Sequence, residues 1–514
     1  MKRNEEKLIL TIDVGTTATK AVLFNLEGNI VRVAHKEYSS KYIQPSIVDH
    51  DPNTWIQAIT FVVPEVMNGL SPDAVSAVSV TSQRATIIPV DSNGEPLADA
   101  IHWQDKRTLA ECEEIRETID EEAIYNKTGL RIDPYFSLPK ILWLKKQGNL
   151  INETAYLLTV HDFIIHYLTG EFKTDWTQAS RTMLFNINSF QWDRDLMNQF
   201  NISSSMMPDA YPPGTVAGNL KEQVAKQLGL RDGIPVVMAG GDQQCAAVGL
   251  GVTRIGTAKV TTGTGSFVVA PVGQSIRDKG KRVLCSPSSI KGQWVMEAGI
   301  FTTGSIYRWL KDELISHKGI DSTVTFEDLN REASASQAGA NGILMVPHFA
   351  GSASPYWNPK SRGIVFNLTL GHKRADIIRA FLEGIAFEIN KNIKVINDVL
   401  RESAFQTSEG VNEVFVSGGL VKADLFNEIQ ANIFGRKVVP GKAEEATALG
   451  AAILAAVSIG VYRTVPDACE IMTNSAGKKA YQPDEKVHSY YQKLGKVHDK
   501  IYRSLDEAGV FEEI

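Results

Sequence analysis

The sequence predicts an α/β protein made of two lobes with similar plans. Two apolar, β-branched runs, Leu8–Val14 and residues 20–24, flank a Gly-Thr turn, and about 250 residues later the runs 258–262 and 267–270 flank the turn "GTGS". In both halves, strand-like runs alternate with helical patterns. A chain of 514 residues exceeds what one hydrophobic core organises, so several domains are expected.

The individual elements follow from local patterns. A third strand is predicted at residues 30–34, after the turn "NLEGN". The stretch 236–251, "VVMAGGDQQCAAVGLG", predicts a buried strand, a tight glycine turn and a helix of small residues. We place the lobe boundary just after it, giving an N-terminal lobe of residues 1–252 and a C-terminal lobe of residues 253–514. Apolar residues at steps of three and four along 378–400 predict one long helix packed by a single face.

Composition excludes several classes of function. The chain is 43% hydrophobic and 22% charged, with a net charge of -6, as in an ordinary globular protein, so neither a nucleic-acid partner nor a membrane surface is expected. The four cysteines show no paired spacing suited to zinc or a redox centre and indicate reduced thiols. The charged residues before the first strand show neither the apolar core nor the cleavage site of a signal peptide, and no apolar run reaches the length of a membrane span. A cytoplasmic location is therefore expected.

The first Gly-Thr turn, in "DVGTTATK", has the chemistry of a phosphate site. Its glycine allows backbone N–H groups to approach a ligand, while Thr16, Thr17 and Lys20 offer hydroxyls and a cation. Asp13 would repel a phosphate directly, so its natural role is to hold a divalent metal that neutralises the phosphate charge. A hairpin turn capped by Asp13 explains the same pattern and stays open as the alternative.

Two further glycine-rich turns extend this picture. "TTGTGSF" contains Gly263 and Thr264, and "VSGGLVKADLF" contains Gly419 ahead of a predicted helix. Together with the first turn, they favour a nucleotide held between two lobes. The sequence has neither the glycine-rich motif of P-loop proteins nor that of Rossmann folds, and it lacks protein-kinase motifs.

Asp242, in "GGDQQ", is the candidate for the chemical step. It follows an apolar strand at the point where the chain turns, a position that favours reactive side chains. A carboxylate there can accept the proton of an attacking alcohol during phosphoryl transfer. A helix N-cap would explain an isolated aspartate equally well.

With these elements assembled, the chain resembles the FGGY family of carbohydrate kinases along most of its length. Eight segments occur in the family's order. They are "IDVGTTATKAVLF", "SQRATIIPVDSNGEPLADAIHWQDKRT", "TGLRIDPYFSLPKILWL", "TDWTQASRTMLFNI", "AGGDQQCAAVGLG", "TTGTGSF", "RGIVFNLTLGHKRADIIRAFLEGIAFEI" and "EEATALGAAILAA". Several of them are most similar to the glycerol kinases within that family.

The resemblance implies two ribonuclease H/actin-like lobes with a nucleotide and substrate cleft between them. It implies ATP and Mg²⁺ as cofactors, a small polyol or sugar as substrate, and a homo-oligomer, dimer or tetramer. It assigns Asp242 as the general base and Asp13 to the metal. The implied substrate-binding residues are Arg84, Trp103, Tyr135, Asp242, Gln243 and Phe267. The nucleotide-binding residues implied by the resemblance are Thr17, Lys20, Thr264, Gly304 and Gly419. Thr16 and Gly263 join them from the chemistry of the two Gly-Thr turns, and Tyr307 from its place near the adenine.

The sequence also departs from the glycerol-kinase pattern. Ala85 stands where those enzymes have a glutamate that accepts substrate hydroxyl protons, Tyr307 replaces a glutamine near the adenine, and Lys20 replaces an arginine. Losing a buried polar partner changes which substrate is preferred. The expected substrate is therefore glycerol, a longer polyol or an open-chain ketose. A pentulose kinase such as xylulose kinase remains an alternative, as do an actin- or chaperone-like ATPase without a small-molecule acceptor and a sugar-binding regulator.

Overall fold

The computed structural model of the chain describes residues 7–44, 46–316, 324–403, 410–441, 445–473 and 479–513. Two six-stranded sheets, one in each half of the chain, form the frame of the molecule. Each sheet is covered by helices and buries its own large hydrophobic cluster. The α/β fold predicted from the repeated strand–turn–strand pattern is confirmed.

The N-terminal sheet has the order β5-β6-β4-β1-β2-β3. Its strands are β1 Leu8–Val14, β2 Ala18–Asn25, β3 Ile30–Glu37, β4 Val75–Ser82, β5 Thr215–Asn219 and β6 Pro235–Gly241. The first three form an antiparallel meander, as the sequence predicts, whereas β4 pairs parallel with β1 and β6 pairs parallel with β4. The carboxyl ends of β1, β4 and β6 therefore meet at one edge of the sheet, where ligands of α/β proteins bind.

The C-terminal sheet repeats this plan in the order β9-β10-β8-β7-β11-β12. Its strands are β7 Thr257–Thr262, β8 Ser266–Val272, β9 Leu284–Pro287, β10 Trp294–Ile300, β11 Glu413–Gly418 and β12 Lys437–Pro440. The hairpin of β7 and β8 corresponds to that of β1 and β2, and β11 and β12 continue the sheet in parallel. The second Gly-Thr turn (residues 263–265) follows β7, and Gly419 follows β11, so both lie at the same edge.

Two helices cross between the lobes and pack against opposite sheets. The helix Asp242–Gly249 contributes to a cluster with Val269 and Val295 of the C-terminal sheet. The helix Ala446–Ser458 instead packs on Ile9 and other residues of the N-terminal sheet. The two backbones touch at Gly249, where a Cβ atom would lie 1.9 Å from the Ala446 carbonyl oxygen, so any side chain there would force the helices apart.

The remaining elements surround this frame. The long helix predicted from its apolar stripe is present as Arg374–Glu402, but every residue from 378 to 393 is buried, so the expectation of packing by a single face is wrong for this stretch. The other helices are Asn53–Met67, Leu109–Thr118, Glu121–Thr128, Ser137–Lys145, Leu150–Glu153, Val160–Thr169, Trp176–Ala179, Arg194–Gln199, Glu222–Leu228, Gly304–Trp309, Phe326–Ala333, Asp424–Phe434, Val465–Met472 and Glu485–Glu507. Short strands outside the two sheets are Lys41–Gln44, Ile47–His50, Ile88–Val90, Ala100–Ile101, Tyr156–Leu158, Lys173–Asp175, Phe185–Asn186, Gln191–Trp192, Asp209–Tyr211, Leu344–Val346 and Ile364–Phe366. Within the described ranges, none of the helices has the length and apolar character needed to span a membrane.

Candidate active site

The site forms where the three parallel strands of the N-terminal sheet end. Asp13 lies near the end of β1, Arg84 follows β4, and Asp242 follows β6. Because β1, β4 and β6 run in the same direction, the topology gathers these three side chains at one edge. Residues separated by more than 200 positions in the sequence thus become neighbours.

A small cavity of about 130 Å³ opens at this edge. It is lined by Thr16, Gln83, Arg84, Trp103, Tyr135, Asp242, Gln243 and Phe267. All six residues predicted to bind substrate are among them, although they come from five separate segments of the chain. Charged and amide groups meet aromatic rings in this cavity, a combination suited to a small molecule with hydroxyl groups on a carbon chain.

The Asp242 carboxylate is held by its neighbours and remains accessible from the cavity. Its Oδ1 atom accepts a hydrogen bond of 2.8 Å from the backbone N–H of Gln243 and lies 3.4 Å from Nε of Arg84. Its Oδ2 atom accepts a hydrogen bond of 3.0 Å from Nε2 of Gln243. About 31% of the side chain is exposed, so lone pairs are available to a ligand. The helix N-cap is Gly241, so the interpretation of Asp242 as an N-cap is wrong.

Arg84 is fixed by a buried charge cluster that joins the two lobes. Its Nη1 atom donates to Oε2 of Glu297 on β10 at 2.9 Å and to Oε1 of Gln244 at 3.0 Å. Arg181 forms a second ion pair with Glu297. Burial alone would raise the pKa of Glu297, but the guanidinium groups of Arg181 and Arg84 outweigh it and lower that pKa to about 2. Glu297 therefore stays ionised. It places a carboxylate beside Arg84, whereas the residue that follows Arg84 in the sequence, Ala85, has none.

Aromatic side chains form another wall of the small cavity. The indole N–H of Trp103 donates to Oγ1 of Thr16 at 3.1 Å, which ties this ring to the first Gly-Thr turn. The rings of Trp103 and Tyr135 meet edge to face, with centroids 5.6 Å apart. Below Tyr135, the buried ammonium group of Lys140 donates to three successive backbone carbonyls and fixes the turn. The cavity wall is thus held in place by hydrogen bonds as well as by packing.

A much larger cavity of about 900 Å³ lies on the side of the C-terminal lobe. Its lining includes four of the residues predicted to bind nucleotide, namely Gly263, Thr264, Gly304 and Gly419. The N–H of Gly304 donates to the carbonyl of Gly263 at 3.0 Å, so the second Gly-Thr turn and the helix Gly304–Trp309 form one rigid unit. This cavity is large enough for a nucleotide.

Tyr307 lies behind the wall of the large cavity. The ring is fully buried, and its hydroxyl donates to Oδ1 of Asn330 at 2.9 Å. It also packs against Phe326, with ring centroids 5.8 Å apart. Asn330 and Phe326 both line the cavity, so Tyr307 supports two residues of the cavity wall without lining the cavity itself.

The hairpin of β1 and β2 carries the other predicted nucleotide and metal residues. Asp13 faces Lys20 in the register of the two strands, and Thr17 is exposed at the turn. The ammonium group of Lys20 forms an ion pair of 2.7 Å with Glu445, which precedes the crossing helix Ala446–Ser458. Burial and the nearby Asp242 carboxylate raise the pKa of Asp13 to about 7, although Lys20 opposes the shift. A cation bound nearby would therefore stabilise the ionised form of Asp13.

Several residues of the site escaped the sequence analysis. Glu297, Arg181 and Gln244 hold Arg84, and Lys259 contacts Gln243. The usable signal was a single charge inside an otherwise apolar strand, as in "WVMEAGI" for Glu297. A charged group buried in a sheet requires a partner, so such a residue points to an ion pair whose other half lies elsewhere in the chain.

Comparison with known families assigns both halves of the chain. Residues 8–249 match the N-terminal domain of the FGGY family of carbohydrate kinases, and residues 258–459 match the C-terminal domain of the same family. Among curated proteins, a glycerol kinase of Thermococcus onnurineus is 34% identical over 98% of this chain and 97% of its own length. A glycerol kinase of Paraburkholderia phymatum is 36% identical over 90% of this chain and 92% of its own length.

Solved structures share the two-lobe architecture. Plasmodium falciparum glycerol kinase with ADP is 27% identical, with a TM-score of 0.86 and coverage of 97% of this chain and 98% of that one. Gluconate kinase from Lactobacillus acidophilus, at 24% identity, has the same fold, with a TM-score of 0.89 over 97% of this chain and 98% of that one. With the sequence relatives and both family domains, these likenesses lead to one conclusion: the chain belongs to the FGGY family of carbohydrate kinases.

Proposed function

We propose that this kinase transfers the γ-phosphoryl group of ATP to a primary hydroxyl of a small polyol or open-chain sugar. The observation that carries the proposal is the small cavity beside Asp242, whose walls join ionised and amide groups to aromatic rings. Two lines of comparison support it: the sequence relatives are named glycerol kinases, and the Plasmodium falciparum relative has ADP bound. The large cavity beside the second Gly-Thr turn is the proposed site of ATP.

Asp242 is the proposed general base. In phosphoryl transfer the enzyme aligns the attacking oxygen with the phosphorus and accepts the hydroxyl proton as the new bond forms. Gln243 and Arg84 hold the Asp242 carboxylate in one orientation, while its exposed side faces the cavity. A hydroxyl that donates to Asp242 would point its lone pairs away from the carboxylate, toward an incoming phosphorus.

The phosphate groups are proposed to lie between the two Gly-Thr turns. Backbone N–H groups of such turns and the hydroxyls of Thr16, Thr17 and Thr264 suit phosphate oxygens. Lys20 adds a positive charge, and its ammonium group forms an ion pair with Glu445. Because the transferring group carries negative charge on three oxygens, fixed donors at this point lower the barrier to transfer.

Asp13 is the proposed Mg²⁺ residue. Mg²⁺ prefers hard oxygen ligands, keeps several waters and is bound through one or two carboxylates together with substrate phosphates. In the described part of the chain, no group of three or more His, Cys, Asp or Glu side chains could form an all-protein metal site. Burial, with the Asp242 carboxylate nearby, raises the pKa of Asp13 despite Lys20, and a bound cation would favour its ionised form. When bound, Mg²⁺ would neutralise phosphate charge.

The proposed substrate is a small polyol or open-chain sugar. A cavity of about 130 Å³ suits a small molecule of this kind. Trp103 and Phe267 offer apolar surface to C–H groups, while Arg84 and Gln243 face hydroxyls. Because Ala85 removes one carboxylate from the glycerol-kinase pattern, an open-chain pentulose remains a candidate beside glycerol.

The lobe limits and the assembly stay proposals. We propose residues 1–252 as the substrate- and phosphate-binding lobe and residues 253–514 as the nucleotide-binding lobe. The gap between the two family matches, which end at residue 249 and resume at residue 258, supports this division. A homo-oligomer, dimer or tetramer, is likewise proposed, and size-exclusion chromatography with light scattering tests it.

A coupled assay of ADP release tests the proposed function. The panel contains glycerol, erythritol, xylulose, ribulose and gluconate, each at saturating ATP and Mg²⁺. We expect at least one of them to raise ADP release far above the rate with water alone, with one phosphorylated product per ADP. A rate of ATP hydrolysis that no alcohol changes would contradict the proposal and indicate an ATPase, and sugar binding without turnover would indicate a regulator.

A further inference from the structure

Lys259 is a buried cation whose ammonium group points from one lobe to the base of the other. It lies in the middle of β7, one of the two central strands of the C-terminal sheet, and its side chain is fully buried. Its Nζ atom lies 2.5 Å from Oε1 of Gln243 and 3.5 Å from the backbone carbonyl oxygen of the same residue. Gln243 in turn contacts Asp242 through Nε2. A chain of two side-chain hydrogen bonds therefore links β7 to the proposed base.

This chain has a fixed direction. An ammonium group has only N–H donors, so Lys259 requires the oxygen of the Gln243 amide and not its nitrogen. With Oε1 turned to Lys259, the amide nitrogen must face Asp242, where it donates to Oδ2 at 3.0 Å. Without Lys259 the amide oxygen would lose this donor and Gln243 would be tethered at its nitrogen alone, so its side chain would hold the Asp242 carboxylate less firmly.

We infer that Lys259 is a positioning residue for the proposed phosphoryl transfer, acting through Gln243 to hold the Asp242 carboxylate in the orientation that receives the substrate proton. The inference rests on the proposed function of Asp242. Lys259 does not line the small cavity and so does not touch the substrate. Its effect is to fix one oxygen of the carboxylate, which leaves the exposed part of that group free for the alcohol.

The surroundings of Lys259 agree with a functional reason for its presence. Burial lowers the pKa of Lys259 to about 7. The Arg84 charge lowers this pKa further, whereas the Asp242 and Glu297 carboxylates raise it. Both the ammonium and the amine carry N–H donors, so the orientation of Gln243 survives loss of the proton. A buried lysine without a direct carboxylate partner costs stability, whereas an apolar residue would fit the strand without that cost.

Steady-state kinetics of Lys259→Met and Lys259→Arg test the inference. Methionine keeps the length and apolar stem of the side chain but removes every donor. We expect Lys259→Met to lower kcat by about 10- to 100-fold, with the KM for ATP unchanged and a melting temperature no lower than that of the wild type. Lys259→Arg retains N–H donors and should recover much of the lost kcat. Lys259→Gln, which keeps a donor without the charge, serves as a second variant if methionine prevents folding.

A double-mutant cycle separates action through Gln243 from a general loss of structure. In a Gln243→Met background there is no amide to orient, so Lys259→Met should change kcat by less than about twofold. Lys145→Met is the matched control, because Lys145 donates to backbone carbonyls of Phe200 and Asn201 outside both cavities, and we expect its kcat to equal that of the wild type.

Three results overturn the inference. They are a wild-type kcat in Lys259→Met, a loss of kcat that arginine does not relieve, and a loss of equal size in the Gln243→Met background. Asp242→Asn is measured beside these variants. Normal turnover in Asp242→Asn would reject the proposed base itself, whereas an inactive Asp242→Asn together with a fully active Lys259→Met would reject only the role of Lys259.

Discussion

The small cavity beside Asp242 and the large cavity beside the second Gly-Thr turn are built by different means. Side chains form the small one: Arg84, Gln243 and Trp103 are each held by hydrogen bonds or ion pairs before any ligand is present. Backbone turns and helix ends contribute much of the large one, and several of its side chains are exposed. We therefore expect substitutions around the small cavity to change which alcohol reacts and how fast, whereas those around the large cavity change mainly nucleotide affinity.

The strongest test of this contrast is Asp242→Asn. The amide keeps the size of the side chain and can still accept from the backbone N–H of Gln243, but it cannot take up a proton. We expect kcat to fall by about 10²- to 10⁴-fold, while the dissociation constant for ATP, measured by calorimetry, stays within about twofold. A parallel loss of ATP affinity would mean that the two cavities are not functionally separate.

Glu297→Gln tests how firmly the small cavity is held. Gln keeps the shape but leaves the buried Arg181 without its ion-pair partner and Arg84 with only Asp242, 3.4 Å from its Nε atom, so we expect the free energy of unfolding at pH 7 to fall by about 3 to 5 kcal/mol. Glu222→Gln, in an exposed pair with Lys226, is the control and should change the free energy of unfolding far less. Chemical denaturation measures both, and equal effects would contradict a preformed pocket.

The stability of the wild type and that of Glu297→Gln should also depend differently on pH. The pKa of Glu297 is lowered to about 2 in the folded chain, so its stabilisation is fully present above the usual glutamate pKa and is lost as the pH falls toward 2. The wild type should therefore lose stability between about pH 5 and pH 3 in part through this group, and Glu297→Gln should lose less over the same interval. Parallel curves for the two proteins would argue against the ion pair.

Trp103→Phe probes a single hydrogen bond of the small cavity. The change removes the indole N–H that donates to Thr16. We expect kcat/KM for the alcohol to fall by about 3- to 10-fold, with the KM for ATP unchanged. Trp192→Phe removes a comparable donor, to the carbonyl of Pro208, outside both cavities and should leave kcat/KM as it is. An effect of equal size in the two variants would point to a general loss of stability.

Gly419→Ala gives the smallest expected effect and addresses the large cavity. A Cβ atom at this position would meet no protein atom within 4 Å, and the residue has φ -63°, so the fold tolerates alanine. The methyl group would instead occupy space in the cavity, and we expect the KM for ATP to rise about 2- to 5-fold with kcat for the alcohol step unchanged. Gly495→Ala, in the helix Glu485–Glu507, is the control.

The sequence predicted much of the frame because local patterns decided it. The β-branched runs around both Gly-Thr turns and the single apolar face of Arg374–Glu402 identify their elements without tertiary information. The partner of the helix Ala446–Ser458 could not be predicted in this way. Its small residues have no marked apolar face, and its position on the N-terminal sheet depends on a backbone contact with Gly249 across the lobe boundary.

The same distinction, between what local patterns decide and what tertiary contacts decide, applies to the residues of the candidate site. Residues beside recognisable turns, such as Asp242 and Thr264, were found from the chain itself and from the family resemblance. Glu297 and Lys259 were not, since each is a single charge in a largely buried strand, and its partner lies in the other half of the molecule. Only the fold reveals that the C-terminal sheet supplies the groups that fix Arg84 and Gln243 of the N-terminal site.

The most direct test of the central claim is a crystal structure of the kinase with a reactive alcohol from the panel and a non-hydrolysable ATP analogue. We expect a primary hydroxyl oxygen about 2.6 to 3.2 Å from a carboxylate oxygen of Asp242, with the terminal phosphate in line on its other side. An alcohol bound outside the small cavity, or a terminal phosphate on the far side of the second Gly-Thr turn from Asp242, would contradict it.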